Sequence, residues 1–422
     1  MKVLIISHNP MSIQTSIGKT LVSLFASFKK EELCQLYVSA SKPEKDLCSS
    51  CFRITDKSAL KGIFTRRVKG GAVEAEENAP LSQAVARKSM SSANRNKPYV
   101  ELLRDAVWML SPWYNKALRQ WVNQQKPDCI FVAVGSSKFL YNMALRISKD
   151  FSIPVYTYVC DDFYTMKTPR AFMGSLWSFL LRRKTRQLLS HSKGVVSICP
   201  EMSEVYQKEF GCPAATVMTG TNFTLAKEPR VNESAKTLRY FGKVSLNRYR
   251  SLADIAEVID EINSQQGTDY TLEIYCGGAS PTEEKALGQY KCIKMFDFIS
   301  GKQFEETFFS SDALVHIEAF DEDSIERVRH SVSTKIADSM ACGIPLLAYG
   351  PKEIASIGHL LRNECAFTAT DKEQLFSVLQ ELFGNYQLRY DVAQRALETA
   401  AQYHDPEKAS NRIKEIVSGK ML

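Results

Sequence analysis

Short apolar runs rich in β-branched residues alternate with helical stretches along the whole chain, and this alternation narrows the folds open to it. The opening run, Lys2 to Ser7, leads through a polar loop to Gly18, within apolar residues at helical spacing over 17–29 (Ile17, Leu21, Leu24, Phe25, Phe28). Further strands are expected at Gln35–Ser39, Cys129–Val134, Val155–Val159 and Gly194–Ile198, with helices such as 137–149 and 172–190 between them. After a polar link near 224–236 the pattern resumes. Strands are expected there at Leu238–Gly242, Leu272–Cys276, Cys292–Phe296, Ala313–Ile317 and Ile344–Tyr349, and the last stretch, 371–419, reads as helical throughout. Such alternation specifies parallel sheets covered on both faces.

At 422 residues the chain exceeds one ordinary core. The pattern therefore predicts two Rossmann-like α/β domains, 1–225 and 226–404, with a terminal helix over 405–422 that crosses back to the first. Two such sheets are expected to turn their carboxyl ends to a shared cleft, so function is sought in the loops that follow strands. Residues 66–98 break the pattern. They are polar, basic and poor in large apolar residues, and read as a long surface loop.

Charge divides unevenly. Residues 1–225 hold 31 Lys and Arg against 17 Asp and Glu, a net +14, and the remainder holds 23 against 30, a net −7. The first half is thus expected to face something anionic. Nucleic acid is disfavoured, because no recognition module accompanies the charge. No run approaches the ~18 apolar residues that span a bilayer, and MKVLIISHNP reads as a first strand rather than a signal peptide. Eleven scattered cysteines suit a reducing cytoplasm. Cys48-Ser-Ser-Cys51 has half of a zinc or redox pattern with no second half, and reads as a loop.

Two segments after strands carry candidate chemistry. In Phe241-Gly242-Lys243-Val244-Ser245-Leu246-Asn247-Arg248, the glycine permits a sharp turn, and Lys243 and Arg248 offer two cations to a diphosphate. In Ser331 to Pro345, hydroxyls at Ser333 and Thr334 open a helix with Lys335 in its first turn, a ready anion site. An ordinary capped helix explains the hydroxyls but not Lys335, since a cation opposes the dipole there. Asp338 is placed to accept hydrogen bonds from a ribose diol.

Both segments resemble the donor-binding signatures of family 4 and related retaining GT-B glycosyltransferases. The family's Gly-Arg-x-x-x-x-Lys-Gly loop is matched by Gly242, Lys243 and Arg248, with Lys for Arg, Arg for Lys and Tyr249 for the last glycine. Its Glu-Ala-Met-Ala-x-Gly-x-Pro segment is matched by Asp338-Ser-Met-Ala-Cys-Gly-Ile-Pro345, so the ribose-binding Glu would be Asp338. Where the family places a Glu eight residues earlier, this chain has His330. A literal Glu318…Glu326 pair stands twelve residues too early and reads as coincidence. The Ser-x-Ser-Thr-Lys-x-x-Asp variant resembles a subgroup of surface-polysaccharide transferases. Val195–Gly211 and Phe309–Ile317 resemble further family landmarks, and Gly18 fits the first-loop glycine that comes near the donor sugar. Residues 40–125 resemble the family least, and acceptor specificity normally lies there.

The resemblance implies transfer of a sugar from a nucleotide-diphospho-sugar, with retention and without a metal or resident cofactor. The acceptor would be a saccharide, carried on a lipid, in capsule, exopolysaccharide or lipopolysaccharide assembly at the inner face of the cell membrane. Asp161 and Asp162 follow a strand and are candidates to orient or deprotonate an acceptor hydroxyl, against a capping role. His330 is a candidate contact to the donor. Ser16-Ile17-Gly18-Lys19-Thr20 mimics a phosphate loop, but Ile13 stands where that motif needs a glycine. Aromatic and basic residues mix in 106–121 (Trp108, Trp113, Tyr114, Trp121) and 172–193 (Trp177, Phe179), a composition that suits an anionic membrane surface as well as a core with a solvated face. A sugar-nucleotide epimerase of the same fold and a non-catalytic binding subunit remain as alternatives.

Overall fold

A computed structural model of the chain describes residues 1–12, 16–74, 98–166 and 172–420. These form two compact units, one of Met1–Gly220 with Pro406–Leu422 and one of Thr221–Asp405. Most of the basic loop expected over 66–98, residues 75–97, and Ile13 lie outside the described residues.

The first unit is built on an eight-stranded sheet of β1 (Val3–Ser7), β2 (Leu33–Tyr37), β3 (Ser50–Arg53), β4 (Gly71–Val73), β5 (Cys129–Val134), β6 (Val155–Val159), β7 (Ser192–Ser197) and β8 (Ala214–Thr216), in the order β4-β3-β2-β1-β5-β6-β7-β8. Among the described residues only the β3–β4 pairing is antiparallel. Successive side chains of β1 point to opposite faces. Val3 and Ile5 meet Leu21 and Leu24 of the helix Ser16–Leu24 and Ile413 and Ile416 of the helix Pro406–Val417. Leu4 and Ile6, equally buried, face the other side. Both faces are therefore covered, which is why β1 reads as an unbroken apolar run.

The second unit holds a six-stranded, all-parallel sheet of β9 (Thr237–Phe241), β10 (Thr271–Tyr275), β11 (Ile293–Phe296), β12 (Ala313–Ile317), β13 (Leu346–Tyr349) and β14 (Phe367–Ala369), in the order β11-β10-β9-β12-β13-β14. The chain enters at β9, runs outward to β11, then crosses to β12 on the other side of β9. Strand order thus reverses between β9 and β12, and the crevice at their carboxyl ends is the favoured ligand position in such sheets.

Several expectations need correction. The helix expected over 17–29 ends at Leu24. Residues 371–419 form three helices, Leu375–Gly384, Tyr386–Tyr403 and Pro406–Val417. The first break is made by Asn385, whose Oδ1 accepts the Leu388 N–H at 3.0 Å and starts a new helix. The second falls at Pro406, which opens the last helix at a position proline tolerates. Strands β3, β4, β8 and β14 escape the sequence reading because three or four residues carry too little alternation to register.

Candidate functional site

A cavity opens at the carboxyl ends of β9 and β12, lined among others by Tyr240, Phe241, Lys243, Arg248, His316, Glu318, Ser333 and Lys335. Its floor is the loop that leaves β9. Leu246 and Asn247 both adopt the left-handed conformation, φ 58° each, at a cost of order 1 kcal/mol apiece. Three hydrogen bonds hold them there. Tyr240 Oη donates to the Lys243 carbonyl at 2.7 Å, Ser324 Oγ to the Leu246 carbonyl at 3.2 Å, and Asn247 Nδ2 to Asp321 Oδ2 at 3.0 Å. The turn so fixed presents Lys243 and starts the helix Arg248–Gln266 with Arg248 at its first position.

A cation at a helix start opposes the dipole and needs a partner. Glu318, the residue after β12, supplies it. Arg248 Nε and Nη2 donate to Glu318 Oε2 at 3.0 and 2.7 Å. Ser251 Oγ donates to the Glu318 carbonyl at 2.8 Å, and the Glu318 N–H donates to the Tyr349 carbonyl at 2.9 Å. Burial raises the Glu318 carboxyl above its ordinary value, with Arg248 pulling the other way. For Arg248, burial works against the charge but Glu318 outweighs it, and its pKa rises. The partners thus pull apart; two N–H donors converging on one oxygen favour the ionised pair.

Lys335 reaches the same place from the helix Thr334–Ala341, donating from Nζ to the Phe241 carbonyl at 2.8 Å. Part of its side chain is exposed, but the ammonium end is crowded. Desolvation, then Arg248 and Lys243, outweigh the attraction of Glu318 and lower its pKa to about 8. Gly242 makes the approach possible, since a Cβ there would lie 2.6 Å from Tyr240 Oη and 2.8 Å from Lys335 Nζ. Ser333 caps that helix by position only, its hydroxyl making no capping bond. His316 Nε2 sits 3.1 Å from Ser356 Oγ and 3.8 Å from Glu318 Oε1. Burial, then Arg248 and Lys335, bring its pKa down to about 3, so it is neutral at physiological pH. Beside the cations, Phe241 stacks on Tyr275 (centroids 4.9 Å apart, 16° between planes) and Tyr275 on Phe296 (4.8 Å, 11°).

Lys243, Arg248, Ser333 and Lys335, two segments some 90 residues apart, therefore line one cavity. The other sequence candidates stand elsewhere. Thr334 begins the helix without lining the cavity. Asp338 is not in the lining either, and its carboxylate is engaged: Oδ1 accepts Asn222 N–H at 2.8 Å and Thr221 Oγ1 at 3.0 Å, tying the start of the second unit to this helix. His330 follows the helix Glu322–Val328, outside the lining.

In the first unit, Gly18 is buried in the first turn of the helix Ser16–Leu24. Asp162 is buried and holds a turn. Its carboxylate accepts the N–H groups of Tyr164 (3.1 Å) and Thr165 (3.0 Å) and the hydroxyls of Thr165 (2.5 Å) and Tyr206 (3.0 Å). Three of these donors converge on Oδ1 and one reaches Oδ2, so the geometry favours the capping role over proton transfer. Asp161 is exposed. His316 and Tyr240 carry no motif signal, and Glu318 enters only as half of the pair whose spacing reads as coincidence. Glu318 was discoverable, since it directly follows a strand; motif spacing alone argued against it.

No family model matches the chain, and no curated protein does. Solved structures do. HepE of Anabaena in complex with UDP superposes with a TM-score of 0.62 at 13% identity, over 99% of this chain and 100% of that one. Sucrose-phosphate synthase from Thermosynechococcus elongatus gives 0.60 at 11%, over 99% and 98%. An α,α-trehalose-phosphate synthase (UDP-forming) from Burkholderia xenovorans, in complex with glucose-6-phosphate, gives 0.61 at 10%, over 99% and 100%. Likeness spanning both units of this chain, at an identity too low to speak for more than architecture, establishes that the protein has the GT-B fold.

Proposed function

We propose that the protein is a glycosyltransferase that takes a sugar from a nucleotide-diphospho-sugar held in the second unit. The observation that carries this reading is the convergence of Lys243, Arg248 and Lys335 at the β9–β12 switch point. Three cations against the single carboxylate of Glu318 leave a net +2, which matches the two charges of a diphosphate diester. Such a cluster stabilises the charge that develops as the diphosphate departs. The Phe241–Tyr275–Phe296 stack offers ring surface for a base. The fold neighbours support the class: HepE is described with UDP and with UDP-glucose, and the trehalose-phosphate synthase is UDP-forming. A uridine nucleotide is therefore the first donor to try.

On this reading the basic first unit receives a saccharide acceptor, and the subgroup resemblance points to a lipid-linked one in bacterial surface-polysaccharide synthesis. Retention follows if the departing diphosphate admits the acceptor on its own face. The test is thermal-shift binding of UDP-, GDP- and ADP-sugars to the wild-type chain and to Lys335→Ala and Lys243→Ala. Stabilisation by one nucleotide class, lost in both variants, supports the donor site. No shift with any nucleotide argues against it. Product analysis then separates transfer from epimerisation of the donor and from binding without turnover.

A further inference from the structure

In the first unit the helices Asp56–Thr65, Pro98–Leu110 and Phe172–Leu189 pack side by side. Asp56 Oδ1 accepts Arg104 Nε at 3.0 Å and Trp108 Nε1 at 2.7 Å, pinning the first helix to the second. Each helix leaves large apolar side chains in water: Phe64 (82% exposed), Leu103 (65%), Met109 (76%), Phe172 (78%) and Phe179 (62%) among them. Single exposed apolar residues are ordinary, but a run across three adjoining helices marks a contact surface. Trp108 and Trp121 do not belong to it: both are buried, and Trp108 stacks on Phe139 at 4.6 Å.

Charge identifies the occupant. On the first helix Lys57 and Lys61, and likewise Leu60 and Phe64, stand four residues apart, forming one exposed stripe of cations beside apolar groups. Arg66, Arg67 and Lys69 continue the exposed charge, and Arg183 stands one turn beyond Phe179 on the third helix. Among the described residues none of these cations enters an ion pair. A second copy of the chain would set one basic rim against another. A surface both anionic and apolar beneath meets both features.

We infer that these three helices dock the protein onto an anionic phospholipid bilayer, with Phe64, Met109, Phe172 and Phe179 entering the headgroup layer and Lys57, Lys61 and Arg183 contacting lipid phosphates. The inference stands apart from the donor site, and it gives the lipid-linked acceptor proposed above a surface on which to be met. The experiment is flotation of the full chain with phosphatidylcholine vesicles, with and without roughly 30% phosphatidylglycerol. Wild type should float only with the anionic vesicles and release as salt rises from about 0.1 to about 1 M.

Phe64→Ser with Phe179→Ser, and separately Lys57→Glu with Lys61→Glu, should each weaken binding about tenfold or more. Melting temperature and nucleotide shift should be unchanged in both. No binding to anionic vesicles, or variants that bind like wild type, overturns the inference. So does a wild-type dimer that the apolar variant dissociates in the absence of vesicle binding, which would assign the patch to a second copy. Failure of nucleotide binding alone bears on the donor site only.

Discussion

Arg248 and Glu318, 70 residues apart, meet through two N–H donors on one carboxylate oxygen at 3.0 and 2.7 Å, in the cavity where a diphosphate is proposed to bind. Glu318 thereby holds Arg248 in place and also competes with an incoming anion for it. Both are largely buried, with side chains 21% and 6% exposed.

Glu318→Gln separates those two effects. The amide keeps a hydrogen bond to Arg248 but removes the opposing charge, so folding stability should fall by about 2 kcal/mol. The cluster would rise from +2 to +3, and the trianionic nucleoside diphosphate should bind about tenfold tighter, equivalent to about 1.4 kcal/mol. Calorimetric titration with UDP measures the second effect and thermal melting the first. Weaker UDP binding in the variant would mean that Glu318 serves only to position Arg248.

Lys335 gives the site its pH dependence. Its pKa falls from 10.5 to about 8 in the folded chain, so between those values the unfolded state binds more protons. Its contribution to stability should therefore rise with pH across that window. Ligand affinity runs the other way. The ammonium that attracts a diphosphate is present below about pH 8 and is lost above it, so UDP affinity should decline above pH 8, by at most about tenfold per unit. Lys335→Ala should bind weakly with a flattened profile, while Lys335→Arg should extend tight binding to higher pH. His316, already neutral with a pKa near 3, should add no inflection around pH 6.5.

The fold was legible because it rests on burial periodicity. Runs such as Val3–Ile6 and Ile130–Val132 are apolar without interruption since both sheet faces are covered. Lys335 stood out because a cation at a helix start contradicts the local electrostatics. Glu318 enters the sequence only as half of a pair with the wrong spacing, because its meaning lies in Arg248, a partner that the crossing from β11 to β12 brings near. Asp162 was ambiguous for a related reason: a carboxylate after a strand looks the same whether it faces a substrate or its own turn. Composition could not sort the aromatics of 106–121 and 172–193 either, since it does not say that Trp108 points inward while Phe179 lies exposed.

Asp162 provides a test of that ambiguity. Its carboxylate accepts four hydrogen bonds in a buried turn and contacts Tyr206, whose hydroxyl pKa is pushed up first by burial and then by Asp162 itself. Asp162→Ala should lower stability by about 2–4 kcal/mol, while exposed Asp161→Ala should stay within about 0.5 kcal/mol of wild type. Chemical denaturation of both variants measures the difference. Asp162→Ala melting like wild type while losing transfer activity would restore the catalytic assignment.

Gly242→Ala tests whether the glycine exists for the turn or for Lys335. The added methyl carbon would lie 2.6 Å from Tyr240 Oη and 2.8 Å from Lys335 Nζ, both below any tolerable contact. Tyr240 is 5% exposed and its hydroxyl holds the Lys243 carbonyl, so it has little room to move. Lys335 has a flexible stem and one hydrogen bond to give up, so its ammonium should swing away, while the contacts with Tyr240 are relieved by a small shift of the loop backbone. The expected result is a chain that still folds, destabilised by about 1–2 kcal/mol, with UDP affinity reduced about as much as in Lys335→Ala. Combining the two substitutions should then cost affinity little beyond either alone, because both remove the same ammonium. Additive losses in a double-mutant cycle would show instead that Gly242 acts through the loop carrying Lys243.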